Sequence, residues 1–392
     1  MDYLIRALAI KEQLIDWRRD FHRNPELGFE EFRTSSIIKA FLKDEGIEFY
    51  EVAGTGICAT IHGNIASGNT KTLALRADMD ALPLIDKKNK DYSSETQGKM
   101  HACGHDAHMT ILLGVAKILN EAKENLKGTI KLFFEPAEET VGGARFMIEE
   151  GILENPSVNG VFGLHVSEDI ESGFIGVKRG VVNAASNPFT IKITGKGGHG
   201  AHPDTTVDPI VISSNVILAL QTIVSREIPP ADAAVITIGN IHGGTAQNII
   251  PEEVVLEGII RTVKKEHREY VKKRLVEVTE GIVKAMRGTV EINIVESYPC
   301  LYNNDEMLDI ILESAEVIIG KDKIKVLESP SMGVESFAYF SMERPSAFYY
   351  LGSGNKEKGI INPAHGSYFD IDEQCLPIGV ALQCEAVRRF LL

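Results

Sequence analysis

Between Met100 and His108 the chain reads Met-His-Ala-Cys-Gly-His-Asp-Ala-His, which puts three imidazoles, a thiol and a carboxylate into one short segment. Gly104 lets the backbone turn tightly between Cys103 and His105. A thiolate and an imidazole two residues apart suit a borderline-soft divalent cation, because the metal depresses the pKa of both and keeps them unprotonated. Taken singly, a histidine near a helix start is ordinarily exposed and a cysteine is ordinarily a small core hydrophobe. Together they read as a ligand cluster. The rival chemistry is nucleophilic, with Cys103 as an attacking thiolate and a neighbouring histidine as base. Two further stretches favour the metal. Glu135-Pro-Ala-Glu-Glu139 ends an apolar run, and of two adjacent glutamates beside a metal one can ligate while the other moves a proton. His165 and His365 add imidazoles from distant parts of the chain. Cys103, His105, Glu139, His165 and His365 are then five candidate ligands, more than one tetrahedral ion uses, so a two-metal site is expected.

Such a cluster must be held by regular structure. Behind it, Ile111, Val115, Ile118 and Leu119 recur at helical spacing, with Asp106 expected to cap the helix start. Ahead of it the spacing predicts an amphipathic helix from Met1 to Trp17, a second from Glu30 to Gly46, and strands at Ile57 to Ile61 and Thr72 to Ala77. Asp78 and Asp80 follow the last of these. Further strands are expected at Thr129 to Phe134, before the glutamate pair, and at Val158 to Leu164, with His165 just past its end. Ligand residues beyond the carboxyl ends of strands are the mark of an open α/β sheet.

From Phe189 to Val295 the pattern changes to strand, helix, strand, strand, helix, strand, the split βαβ arrangement of a small self-contained layer. The expected organisation is therefore α/β: a catalytic domain (1–183 and 298–392) with a mixed central sheet flanked by helices, interrupted by an inserted β-α-β-β-α-β domain (184–297). Gly195-Lys-Gly-Gly-His-Gly200 matches the dinucleotide fingerprint in form only, since a turn rather than a helix follows it. Its glycines fit close backbone approach to something presented to His199.

Composition narrows the partners. With 392 residues, two domains are the natural expectation, and 44% hydrophobic residues are ample for burial. A net charge of −14 disfavours nucleic acid and anionic membranes. The five cysteines are scattered without CxxC spacing, which fits a reducing cytoplasm better than a disulfide framework. The longest apolar-looking run, Pro209 to Val224, carries Ser213, Ser214, Asn215 and Gln221 and is shorter than the roughly 20 residues of a membrane span, so no span is expected.

In the stretches His22-Arg-Asn-Pro-Glu-Leu-Gly28, Arg76-Ala-Asp-Met-Asp-Ala-Leu-Pro83, Met100 to Asp106, Glu135 to Glu139, Gly163-Leu-His165, Gly195 to Pro203, Gln247-Asn-Ile-Ile-Pro251 and Arg261-Thr262, the chain resembles the M20 metallopeptidases, specifically their amidohydrolase branch. That branch includes hippurate hydrolases, auxin-conjugate hydrolases and N-acetyldiaminopimelate deacetylases. The resemblance implies two divalent ions (zinc, manganese, cobalt or nickel) held by Cys103, His105, Glu139, His165 and His365. It implies Glu138 as general base, and Asp80 as the carboxylate that orients a ligand. It also implies that the inserted domain is a lid that dimerises, with His199 steadying the oxyanion and Asn248 and Arg261 binding the substrate carboxylate. Where many relatives carry a metal-binding histidine, this chain has Asp78. The expected reaction is hydrolysis of an N-acyl-L-amino acid, a small-molecule substrate, by a homodimer or higher homo-oligomer. The alternatives are a peptidase acting on short peptides, a cysteine-nucleophile hydrolase, and a metal-dependent dimeric binding protein without turnover.

Overall fold

The computed structural model describes residues 2–65 and 70–392. Met1, where the first helix was expected to begin, lies outside them. The chain divides into two compact units, one of Met1–Val182, Tyr302–Ser329 and Glu335–Leu392, the other of Asn183–Leu301 and Pro330–Val334.

The first unit is built on an eight-stranded mixed sheet, ordered Glu48–Val52, Gly56–His62, Thr129–Glu135, Thr72–Asp78, Gly160–Glu171, Ser346–Gly354, Ile175–Val177, Ile324–Val326. Thr72–Asp78 runs parallel to both its neighbours, and Gly160–Glu171 runs parallel to Ser346–Gly354; the pairs on the Glu48 side are antiparallel. Thr72–Asp78 and Thr129–Glu135 are buried along their whole lengths, as central strands covered on both faces must be. Because they are parallel and adjacent, their carboxyl ends deliver Asp78 and Glu135 side by side, in register.

Several expectations are corrected. The N-terminal helix is two helices, Tyr3–Ala9 and Lys11–Arg23, broken at Ile10. The strand expected to stop at Leu164 continues to Glu171, so His165 sits inside it, opposite Tyr350. Polar residues such as Ser167 and Glu168 hid the continuation, which pairing with the neighbouring strand sustains. The helix His105–Glu121 is buried nearly all round and not on one stripe alone. Asp106 does not cap it: Gly104, at φ +88, holds that position. The Asp106 carboxylate lies in the first turn instead, 2.9 Å from Arg18 and 2.6 Å from His22, because a fully buried guanidinium needs a counter-charge. Short helices at Gly143–Glu149 and Phe337–Glu343 were not anticipated.

In the second unit a four-stranded antiparallel sheet is ordered Ala234–Gly243, Glu253–Thr262, Ala185–Thr194, Thr289–Ile294. With the helices Pro209–Thr222 and Lys265–Ala285 it gives the expected β-α-β-β-α-β order. Alternate residues Phe189, Ile191 and Ile193 enter the core this unit forms with Ile212, Val216 and Leu220. Asp208 caps the first helix by accepting from the Ile210 and Val211 N–H groups, and Pro209 opens it. That helix is apolar on its outer face too, where Ile210, Val211 and Leu218 are exposed. With its continuation to Glu227 it is the one helix among the described residues that is long and apolar enough, by length and composition, to cross a membrane.

Candidate metal centre

Four separate elements of the first unit converge. The loop after Thr129–Glu135 carries Glu138 and Glu139, and the entrance of the His105–Glu121 helix carries Cys103 and His105. The interior of Gly160–Glu171 carries His165, and a left-handed turn at φ +62 carries His365. The ligand atoms of Cys103, His105 and His165 all lie within 4.8 Å of one another, and so do those of Cys103, Glu139 and His365. The two groups share the Cys103 sulfur, and all five expected ligands fall into them. Gly104 is required here, because a β-carbon would come within 2.2 Å of the Val166 side chain.

Hydrogen bonds to the backbone turn the Nε2 atoms of His105 and His165 toward the cluster. His105 Nδ1–H donates to the Asp80 carbonyl at 2.8 Å, so Nε2 keeps its lone pair. His165 Nδ1–H donates to the Val166 carbonyl at 2.7 Å, leaving Nε2 3.3 Å from Cys103 Sγ. His105 Nε2 and Glu139 Oε1 are buried, 3.8 Å apart, and neither makes a hydrogen bond of good geometry among the described residues, although His365 Nε2 faces the same Glu139 oxygen at 3.3 Å. Orphaned buried acceptors are costly, and a cation would satisfy both at once. The Asp80 carboxylate receives the backbone N–H groups of Glu138 and Glu139, each at 3.0 Å, and one of its oxygens lies 3.3 Å from His105 Nδ1.

Asp78 and His108 also lie within 4.8 Å of His105, but their ligand atoms are committed elsewhere. Val166 N–H donates to His108 Nε2 at 2.9 Å, which places the imidazole proton on Nδ1, and Nδ1–H donates to Asp78 at 2.6 Å. The other Asp78 oxygen accepts from Arg76 at 2.7 Å. Arg76 in turn reaches Glu135, Ser336 and Glu335. Asp78 thus acts here as the anchor of a buried guanidinium. Sequence reasoning gave no role to Arg76, His108 or Ser336, whose backbone N–H donates to Glu138 Oε1 at 2.9 Å.

The electrostatics separate the two glutamates. Burial pushes the Glu138 carboxyl well up, and Glu335 and Glu139 add to that. At Glu139 burial also raises, but His365 and His105 outweigh it and hold the group below its ordinary value. Neighbouring carboxyls driven apart in this way are suited to different roles. Burial and Glu139 push the Cys103 thiol well above its ordinary value, while at His105 the nearby Asp78 outweighs burial and raises the imidazole. Binding a divalent cation would favour the deprotonated form of both groups. A sulfur, nitrogen and carboxylate donor set with two bare buried acceptors fits such an ion.

The remaining expected residues lie in the second unit. Gly198–His199 pairs with Ile249–Ile250, and Gly200 N–H donates to the Asn248 carbonyl at 2.8 Å, so His199 and Asn248 are exposed neighbours on one ribbon. His199 Nδ1 accepts from the Ala201 N–H at 3.1 Å, which leaves Nε2–H as a free donor position. Arg261, near the end of Glu253–Thr262, has a buried Nη1 without a hydrogen-bond partner among the described residues. Burial lowers its pKa, as desolvation of an uncompensated cation does.

Comparison with known proteins places this arrangement. The model of peptidase family M20/M25/M40 matches residues 74–389. The IAA-amino acid hydrolase ILR1-like 4 of Arabidopsis thaliana is 39% identical over 395 residues, spanning 98% of this chain and 88% of the relative. The N-acetyl-L-cysteine deacetylase of Bacillus subtilis is 39% identical over 389 residues, spanning 99% of this chain and 90% of the relative. Among solved structures, the Bacillus subtilis YXEP protein, described as a dinuclear metal binding peptidase from the M20 family, superposes with a TM-score of 0.84. It is 32% identical, with 98% of this chain and 99% of that one covered.

Proposed function

The chain belongs to peptidase family M20/M25/M40, and from that premise we propose that it is a metal-dependent amidohydrolase that cleaves N-acyl-L-amino acids to a carboxylic acid and a free amino acid. The observation that carries this is the convergence of five donor side chains into two groups that share the Cys103 sulfur, with Glu138 next to the donor Glu139 and one Glu138 oxygen held by the Ser336 N–H. Cys103, His105, Glu139, His165 and His365 would hold two divalent ions, which when bound polarise an amide carbonyl and acidify a water. Glu138 takes the proton of the attacking water and hands it to the departing amine. Asp80 and Ser336 hold Glu138 in place through the bonds described above.

In the second unit, the free Nε2–H of His199 suits a developing oxyanion. Arg261, whose buried Nη1 has no hydrogen-bond partner among the described residues, suits the substrate carboxylate, a role it would share with Asn248. The metal is one of zinc, manganese, cobalt or nickel, since a mixed S/N/O set does not choose among them. The stretch 184–297, which makes up most of this unit, acts as a lid and dimerisation domain in a homodimer or higher oligomer. Support comes from the exposed Ile210, Val211 and Leu218 beside the sheet-edge strand Ala234–Gly243. A cytoplasmic setting is supported by the five free thiols.

Hydrolysis of N-acetyl, N-benzoyl and dipeptide substrates, measured before chelation, after it, and after restoring single metals, tests the proposal. Activity should vanish with chelation and return with metal, and dipeptides should be the poorest substrates. Activity that survives chelation but not thiol alkylation would transfer the chemistry to Cys103. Burial and Glu139, which push that thiol well above its ordinary value, argue against a free attacking thiolate. Cys103→Ser should weaken metal binding by more than the roughly 10–100-fold lost when a mere outer partner of a ligand is removed. Metal content by mass spectrometry after dialysis reads that loss, and full retention would exclude Cys103 as a ligand.

A further inference from the structure

Glu31 has no part in the chemistry above, yet its carboxylate is fully buried a short way from the glutamate pair. One oxygen accepts the backbone N–H of Ala137 at 2.9 Å, and the other accepts the Thr55 hydroxyl at 2.5 Å. Ala137 has φ +54, a left-handed conformation that residues with a β-carbon rarely adopt. Opposite it is Gly28, where an added β-carbon would come within 2.9 Å of Ala137 Cα and 3.0 Å of its β-carbon. The next two N–H groups, of Glu138 and Glu139, end on Asp80. Three consecutive backbone donors are therefore held by two buried carboxylates, and the first holds the strained residue.

We propose that Glu31 is a positioning residue for the reaction: by holding Ala137 left-handed through its N–H, it sets the direction in which Glu138 and Glu139 leave the strand. This rests on the reading of Glu138 and Glu139 as base and ligand. Without Glu31 the Ala137 N–H loses its acceptor, and the backbone relaxes toward a right-handed or extended conformation that turns both glutamates. Burial pushes Glu31 up to about 7, with Asp80 adding to it, so the fold retains a carboxylate where desolvation opposes its charge. Such a cost is expected where geometry is under constraint.

The experiment uses the metal-loaded full chain with its best substrate from the panel. With metal kept in excess, Glu31→Ala should lower kcat about 100-fold, the usual result of a misplacement near 1 Å, while KM stays within about threefold. Glu31→Gln keeps an oxygen for the Ala137 N–H and should recover most of the lost kcat. Wild-type kcat in Glu31→Ala overturns the proposal, and so does a folded Glu31→Gln as slow as the alanine variant, which would make the charge and not the position responsible. Should Glu31→Ala fail to fold, Thr55→Val decides: freeing one carboxylate oxygen should lower kcat several-fold, and an unchanged kcat overturns the proposal. A crystal structure of Glu31→Gln and of the most perturbing variant that folds separates this proposal from the functional reading. Movement of Ala137 and Glu138 in the perturbing variant alone supports the positioning role even if no amide is turned over. An unmoved Ala137 sinks it even if amides are hydrolysed.

Discussion

Glu138→Gln should lower kcat by about 10²–10⁴-fold, the span that general acid–base groups supply, while leaving metal content and thermal stability near those of the parent protein. By the usual conversion that is about 3–5 kcal/mol of transition-state stabilisation. The substitution is nearly isosteric, and a glutamine oxygen can still accept the Ser336 N–H that now ends on Glu138 at 2.9 Å. Glu139 stays in place because its N–H is held by Asp80, so a ligand loss is not expected to accompany the loss of the base. What disappears is the capacity to carry a proton from water to amine. Steady-state kinetics with metal analysis on the same preparations measures this, and a variant with comparable turnover would remove Glu138 from the chemistry. A fall in kcat that tracks metal loss would instead make Glu138 a ligand, consistent with its lying within 4.8 Å of His105 and Glu139.

Arg76→Gln should be the most damaging single change to stability, at about 3–5 kcal/mol, since it leaves buried carboxylates around a vanished cation. Arg76 is fully buried, 2.6 Å from Glu135, 2.7 Å from Asp78 and 3.1 Å from Glu335. The change should also raise the pH at which acid unfolds the protein. At Asp78 burial pushes the carboxyl up, but Arg76, His105 and His108 outweigh burial and bring it well below the ordinary value. Its contribution is therefore present above the unfolded value of about 3.9 and is lost only as pH falls through the depressed folded value. Without the guanidinium, burial acts on Asp78 with less opposition, and that loss begins at higher pH. Glu135, on the same guanidinium, does not share this dependence, because burial outweighs Arg76 there and leaves the carboxyl raised. Denaturant melts between neutral pH and pH 3 measure both effects; an unchanged midpoint would mean that Asp78 and Glu135 find other partners.

Much of the centre was legible before any coordinates. Donor identity is carried by residue type, so Cys103, His105, Glu139, His165 and His365 could be listed, and all five fall into the two donor groups. Strand and helix order followed from periodicity, because alternation and helical spacing are local properties of the chain. The split βαβ unit is of this kind, since every element in it is contiguous.

Which of several similar side chains is free to act was a different matter. His105 and His108 stand three residues apart on one helix, but one shows a bare Nε2 and the other has both nitrogens engaged. Asp78 and Asp80 look alike at the end of one strand and just past it, yet one anchors Arg76 and the other receives two backbone N–H groups. Asp106 was read as a helix cap from its position alone and is instead the counter-charge of Arg18. Apart from Arg76, two residues from Asp78, the partners that decide these cases lie 25 to 88 residues away along the chain. Residue types and local periodicity are set by the sequence itself. The proton on a given nitrogen and the side on which a carboxyl titrates depend on which distant group folding brings within 3 Å, and in a buried site that contact, not the residue type, determines the chemistry.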